Sequence, residues 1–455
     1  MGVKNEYTAY KAISPKLRVY LGAGFIFLGL GLLFGAMSIP FGFESFTIKY
    51  KFGLDKTFLR TGQTAAMAAG CLLMLQLVLN GRLKILDRIF SINRLTTCHR
   101  WNGMAIAMLV LIHATLILIS EGRDILDPTI KNWPQYAGLF LLITVCGIVI
   151  SARWRRAIGL SYTLWRFFHG KFTHMAVGVF AVHALYACDT YGYAVPRGLL
   201  LGSLVIYVLL FLRLKLNRII QGRSCNVLNV SPASIDAFSI ALIAEDGKPF
   251  AYAPGQFIFI RFKSKGISGE EHPFTISSSP TGTPEIFLTI RSAGDWTSNI
   301  HRLKPGDKAS VNGPFGLFGN LNLKSCPEII MIAGGIGITP MLSLLGDMAR
   351  RKDMRPITLL WSNRTHAHIV LPELIAEFQR RLSRLRVIHI LTREPEYEGE
   401  KGRLDLFKIE KLLSGCSRQS RTFICGPPEM MTSCRRSLIS LGFRRRSFVM
   451  ERFSL

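Results

Sequence analysis

Up to about Leu216 the chain alternates long apolar runs with short polar connections, most of them basic. Apolar runs fall at roughly 19–37, 64–80, 101–119, 135–151, 173–188 and 198–212. Most are near the about 17–20 residues that a helix needs to cross a hydrocarbon layer. The fifth and sixth are short and hold a few polar residues. Beyond Leu216 the pattern changes to short alternating stretches bounded by Gly and Pro, which mark strands, and amphipathic stretches, which mark helices. The expected architecture is therefore an α-helical membrane bundle of six transmembrane helices over 1–220, a β-barrel over 221–322 and an α/β domain over 323–455.

Composition supports that division. Hydrophobic residues make up 49% of the 455 positions, yet the formal charge is +27. A basic chain of this kind suits a lipid surface or a nucleic acid. Its cations flank apolar runs and form no aromatic-interleaved patch, so a lipid bilayer is the expected partner and no nucleic acid is expected. The connections at Gly81–Arg100 and Ser151–Lys171 and the segment after the sixth run are rich in Arg and Lys, while those near Glu121–Trp133 and Asp189–Pro196 are nearly balanced. Ser38–Gly62, with Lys49, Lys51, Lys56 and Arg60, is the exception. Positive residues stay on the cytoplasmic side, so both termini and the whole second half are expected there, in an integral protein of a plasma or inner membrane. The nine cysteines include no C-x-x-C pair, which argues against a structural zinc site, a cysteine-held cluster and a disulfide framework. The polar, moderately basic N-terminus reads as the flank of an uncleaved first helix. Glu6 stands where a myristoylation motif wants Ser or Thr.

Two of the apolar stretches carry histidines. "CHRWNGMAIAMLVLIHA" holds His99 and His113, and "WRFFHGKFTHMAVGVFAVHA" holds His169 and His183; 113 − 99 and 183 − 169 are both 14. At about 100° per residue such a pair returns to within about 40° of one helix face, about 21 Å apart along the axis. The third and fifth helices run the same way, so His99 and His169 lie level near the cytoplasmic end, and His113 and His183 lie level near the other. Two level pairs on parallel helices are the ligand layout of two b-type hemes, each iron taking one imidazole from each helix. A lone membrane histidine more often just hydrogen-bonds inside a bundle; repetition of spacing, phase and depth favours ligation. His174 is half a turn out of phase with His183 and reads as non-ligating, although a kinked fifth helix would let it displace His169.

In the second half, "PGQFIFIRF" and "EHPFTISSSP" are strands with a turn before His272. A flat apolar ring against Pro273-Phe274, with the hydroxyls of Thr275, Ser277 and Ser278 near its polar edge, would suit a flavin; an ordinary barrel strand is the plain alternative. "LTIRSAGDWTSNIHRL" sets Arg291 on a strand and Thr297 at a helix start, a ready pyrophosphate site or else a capped helix beside a surface arginine. "EIIMIAGGIGITPMLSLLGDMARR" is a buried strand, a turn with Gly334, Gly335 and Gly337, and a helix opening at Thr339-Pro340. The glycines allow close backbone approach, and the helix start favours dinucleotide phosphates. Arg364 and Arg393 end the next two strands and favour NADPH over NADH. "TFICGPPEMM" runs a strand into a turn at Cys425, Gly426 and Pro427 that could sit beside a nicotinamide.

In this order the motifs resemble the ferric reductase and NADPH oxidase superfamily over essentially the whole chain. The resemblance implies a ferric-reductase-like transmembrane domain followed by a ferredoxin–NADP reductase-type half, whose barrel binds FAD. It implies that "HPFT" contacts the flavin, "GDWT" its pyrophosphate, "AGGIGITP" the NADPH pyrophosphate and "CGPPEMM" the nicotinamide side. "MERF", Met450 to Phe453, is similar to the family's terminal Glu-x-Phe strand, which implies that Phe453 covers the flavin. Many relatives space the second histidine pair by 13 rather than 14, and here Ser454-Leu455 follow Phe453. No EF-hand loop and no ferredoxin extension is present.

The expected activity is transfer of electrons from cytoplasmic NADPH to FAD, then through the inner and outer hemes to oxygen, a ferric chelate or a quinone across the membrane. The competing expectations are a membrane-anchored flavin reductase and an NADPH sensor, both without hemes.

Overall fold

The computed structural model describes residues 13–47, 52–220, 222–319 and 326–451. It divides into a helical unit, Ser14–Asn217, and a second unit that carries Arg218–Leu455.

The helical unit contains α1 (Pro15–Gly42), α2 (Gly53–Asn80), α3 (Lys84–Phe90), α4 (Ile92–Glu121), α5 (Trp133–Trp154), α6 (Tyr162–Ala187) and α7 (Ala194–Ile220). Among the described residues, five helices are long and apolar enough to cross a membrane: α1, α2, α4, α5 and α7. The 26-residue α6 is not one of them, because Arg166, Lys171 and three histidines lower its hydropathy. Apolar runs also understate helix length. Ser161 caps α6 by accepting from Leu164 N at 3.4 Å, well before the run at 173, and α4 starts at Ile92 rather than 101. Both extensions bring His99 and His169 inside their helices.

Small residues set the packing. Gly62, Ala65, Ala68, Ala69 and Gly70 are buried on α2, and a Cβ on Gly62 would lie 3.3 Å from Leu116 and Ile117 of α4. Such a stripe lets two backbones approach closely. Accordingly α2 packs along α4, and α5 along α6, whereas α4 and α6 barely touch.

The second unit contains two six-stranded sheets. The first comprises β1 (Arg223–Ser234), β2 (Ala237–Ala244), β3 (Phe257–Lys263), β4 (His272–Thr275), β5 (Glu285–Arg291) and β6 (Lys308–Phe315), in the order β4-β3-β6-β1-β2-β5. Every pairing is antiparallel. An isolated bridge from Ile276 to Leu288 links the two edge strands around a core that includes Ile240, Leu242, Ile260 and Phe262.

The other sheet is parallel: β7 (Ile329–Gly334), β8 (Ile357–Asn363), β9 (Leu385–Leu391), β10 (Glu400–Lys401), β11 (Arg421–Cys425) and β12 (Phe448–Glu451), in the order β10-β9-β8-β7-β11-β12. The apolar residues of β7 are buried throughout, as a strand covered on both faces requires. Helices α8 (Thr339–Arg350) and α9 (Pro372–Arg381) cover one face through Met341, Leu345, Ile375 and Phe378. Helices α10 (Leu406–Leu412) and α11 (Pro428–Ser440) cover the other through Ile409, Met431 and Leu438. The boundary expected after residue 322 falls outside the described residues.

Candidate functional site

In the helical unit the four histidines face each other as two pairs across the gap between α4 and α6. The His99 and His169 ring centroids are 6.2 Å apart with planes at 65°, and those of His113 and His183 are 6.2 Å apart at 72°. His174 turns elsewhere: its Nδ1 lies 2.7 Å from the Tyr207 hydroxyl of α7, with the Phe211 ring 4.4 Å away. His169 is therefore the residue that faces His99.

Backbone carbonyls orient one pair. His113 Nδ1 lies 2.9 Å from Gly62 O, and His183 Nδ1 lies 2.8 Å from Pro134 O. A carbonyl only accepts, so each Nδ1 carries the hydrogen and each Nε2 presents a lone pair. Gly138 makes room for His183, since a Cβ there would fall 2.5 Å from His183 Cε1. His113 and His183 both line a largely apolar cavity whose lining also includes Gln63, Gln135 and Tyr191. The Nδ1 atoms of His99 and His169 have no hydrogen-bond partner among the described residues. No group of three or more His, Cys, Asp or Glu side chains able to hold a metal occurs among those residues.

In the antiparallel sheet, Trp296 of "GDWT" packs on the residues of "HPFT". Its ring lies 4.2 Å from that of His272, 5.6 Å from Phe274 and 5.9 Å from Phe262. One face of Phe274 is thereby covered. Pro273 pairs with Phe259 in the β3–β4 ladder. The hydroxyls separate into two kinds. Thr275 Oγ1 is buried without a partner. Ser277 Oγ, by contrast, donates to Phe287 O at 3.0 Å, and Ser278 Oγ accepts from Phe287 N at 3.1 Å beside the Tyr252 hydroxyl. The sequence alone places all three at a ligand edge; in the fold the two serine hydroxyls serve β5 and Tyr252, partners from distant positions in the chain.

Thr297 also differs from expectation. It opens a six-residue 3-10 turn, Thr297–Arg302, and its Oγ1 accepts from Ala293 N and Gly294 N at 2.9 and 3.0 Å. The side chain closes the Gly294 turn, and no longer helix starts there. Arg291 is held by Asp236, with Nε and Nη2 each 2.6 Å from Oδ2. Its Nη1 lies 2.9 Å from where a Cβ on Gly335 would stand. Asp236 thus fixes Arg291 over the glycine turn, a link that a lone Asp in the sequence does not signal.

The glycine turn itself is built by backbone approach. Gly335 has φ +54, in the left-handed region that favours glycine. A Cβ on Gly337 would lie 2.6 Å from the Cys425 carbonyl carbon, and one on Gly334 would lie 2.7 Å from Pro427 Cδ. A Cβ on Gly426 would meet Gly334 Cα at 3.0 Å. The two loops stand back to back at the carboxyl ends of β7 and β11. Buried Thr339 donates to Ile336 O at 3.1 Å, and Pro340 occupies the first turn of α8. Arg364 and Arg393 are exposed and adjacent, with Arg393 N donating to Arg364 O at 2.8 Å. The C-terminal strand pairs Glu451 with Cys425. Glu451, the Glu of "MERF", is 6% exposed; Phe453 lies outside the described residues.

The Cys425 thiol is fully buried. Burial, reinforced by the field of Glu451, pushes its pKa well above the ordinary thiol range. The thiol is therefore neutral in the fold. Its contribution to stability is fully present below the unfolded thiol pKa and fades as the pH rises past it. Iodoacetamide at pH 8 is expected to leave Cys425 unlabelled until the protein unfolds; modification of Cys425 in the folded chain, read by peptide mass spectrometry, would refute this.

Comparison with known proteins agrees with this layout. Residues 65–182 match the ferric reductase like transmembrane component, 224–314 an FAD-binding domain and 331–436 an oxidoreductase NAD-binding domain. The chain is 30% identical over 203 residues to sulfhydrogenase 1 subunit gamma of Pyrococcus furiosus, covering 44% of this chain and 68% of that protein. It is 29% identical over 199 residues to NADH-cytochrome b5 reductase 1 of Kluyveromyces lactis, covering 42% and 69%. Among solved structures, the cytochrome b5 reductase domain of Ulva prolifera nitrate reductase aligns with a TM-score of 0.46 at 22% identity, covering 51% of this chain and 97% of that one.

Proposed function

Since the chain belongs to the ferric reductase and NADPH oxidase superfamily by its matched transmembrane, FAD-binding and NAD-binding domains, we propose that it carries electrons from cytoplasmic NADPH, through FAD and two b-type hemes, to an acceptor across the membrane. The observation that carries this reading is the geometry of the histidine pairs. An imidazole nitrogen ligates a first-row metal at about 2.0–2.1 Å, and its ring centre lies about 1.1 Å further back, so two rings on opposite sides of one iron have centroids about 6.2–6.4 Å apart. Both pairs stand at 6.2 Å. A heme held by such a pair would supply single-electron chemistry there. Helices α4 and α6 barely touch, and the carbonyls of Gly62 and Pro134 would orient His113 and His183 as ligands.

When bound, these groups supply hydride acceptance at the flavin and single-electron passage at the hemes. The chain's own residues do the positioning. His99 with His169, and His113 with His183, hold the two irons at different depths. Phe274 and Thr275 meet the flavin, the closed antiparallel sheet forming the barrel that carries it. Gly334 to Pro340 seat the dinucleotide phosphates, Arg364 and Arg393 take a 2′-phosphate, and the Cys425–Pro427 turn lies on the nicotinamide side. The 26-residue α6 is the sixth span; at about 1.5 Å per residue it is long enough, and His169 and His183 turn toward α4.

NADPH as donor rests on the two arginines. The Kluyveromyces lactis relative carries NADH in its name, so NADP+ against NAD+ binding decides that point. The basic charge expected at the far end is partly cancelled, because Lys56 and Arg60 both pair with Glu44. Oxygen, a ferric chelate and a quinone are the candidate acceptors. Proteoliposomes containing the FAD- and heme-loaded chain and trapped ferricyanide test the direction. External NADPH is expected to reduce the trapped dye; reduction only of dye added outside would overturn the transmembrane route.

A further inference from the structure

At the carboxyl end of β8 stands a buried amide that no hydrogen bond accounts for. Asn363 is 4% exposed, and neither Oδ1 nor Nδ2 has a partner among the described residues. Side chains alternate along a strand. Leu359 and Trp361 lie on the face covered by α8 and α9, so Asn363 shares that face, one step nearer the carboxyl end. Trp361 Nε1 donates to Gly335 O at 3.1 Å, which fixes the glycine turn over this part of the sheet. Asn363 therefore lies between the glycine turn and the adjacent Arg364 and Arg393. Two residues back along the ladder, His389 of β9 pairs with Trp361 and packs on it with centroids 5.4 Å apart, and its Nδ1 is also buried and unpartnered. Buried donors and acceptors left unsatisfied are costly, so a cluster of them at one sheet edge points to a polar ligand.

The fold narrows the ligand. In open parallel sheets the dinucleotide lies outside the carboxyl ends of the strands, and the residue ending the second strand meets the adenosine ribose. Here that strand is β8 and the residue is Asn363. An amide offers both a donor and an acceptor, the complement of a sugar hydroxyl, which both gives and accepts a hydrogen. Unlike a carboxylate it does not repel a 2′-phosphate.

We propose that Asn363 binds the adenosine ribose of the nicotinamide dinucleotide. The proposal rests on the reading that a nicotinamide dinucleotide is the electron donor. The test is calorimetric titration of the FAD-loaded full chain in detergent with 5′-AMP, 2′,5′-ADP and NADP+, for wild type, N363L and N363D. N363L is expected to weaken all three ligands by one common factor, about tenfold for two lost hydrogen bonds, with FAD content and flavin spectrum unchanged. N363D, of nearly the same shape, is expected to weaken 2′,5′-ADP more than 5′-AMP, and it carries the test if N363L fails to fold. Wild-type affinity for all three ligands in N363L, or a loss confined to NADP+, overturns the proposal. Equal wild-type binding of 5′-AMP and 2′,5′-ADP would instead count against NADPH as donor, leaving Asn363 to be judged on 5′-AMP. No binding of any of the three to wild type overturns both.

Discussion

His169→Leu is expected to leave the chain with about one heme instead of two and to abolish NADPH-driven reduction of any acceptor beyond the membrane, whereas His174→Leu retains both hemes. The two residues share a helix and differ in what they face. His169 meets His99 at 6.2 Å, while His174 Nδ1 lies 2.7 Å from the Tyr207 hydroxyl. Loss of a direct ligand exceeds the roughly 10–100-fold effect of changing an outer-shell partner. Flavin reduction by NADPH, followed with a dye acceptor at the flavin, is expected to survive in both variants because the second unit is untouched. Pyridine hemochrome content per FAD checks the claim. Two hemes in H169L with one in H174L would reverse the assignment.

Gly337→Ala is expected to cripple nucleotide binding without releasing FAD. A Cβ at this position would stand 2.6 Å from the Cys425 carbonyl carbon and 2.9 Å from Gly426 N. Both contacts are with backbone, so neither a rotamer change nor a flexible side-chain tip relieves them. Overpacking of this kind costs about 1–3 kcal/mol. If the glycine turn absorbs that strain by moving, NADP+ affinity falls by about 5–150-fold. The expected result is slow NADPH-dependent bleaching of the flavin in stopped-flow traces, restored in part at high NADPH. Wild-type affinity in G337A would mean that the back-to-back approach of the two loops does not shape the nucleotide site.

The histidine pairs were legible because a helix converts sequence spacing directly into a face and a depth. Fourteen residues suffice to put His99 and His113 on one side of α4, whatever surrounds them. The ends of α4 and α6 were not legible from apolar runs, since Asn93, Thr96 and Arg166 are helical without being apolar. Contacts between distant segments were harder still. The glycines of "AGGIGITP" announced a close approach, but not that Gly337 abuts Cys425 and Gly335 lies under Arg291. The serines of "TISSS" looked free in sequence; β5 and Tyr252 take their hydroxyls. Trp296, Asp236 and Glu451 act through partners brought by the fold, and single residues of these kinds carry no spacing to read.

The absorbance spectrum of the detergent-purified chain, supplied with heme and FAD and recorded without oxygen before and after NADPH, tests transmembrane electron carriage most directly. The expected result is a b-type heme band that NADPH reduces, present at two hemes per chain and lost in part when His113 or His183 is replaced. A chain that binds FAD and oxidises NADPH with a dye, yet shows no heme band, would contradict the paired-histidine reading and leave a membrane-anchored flavin reductase.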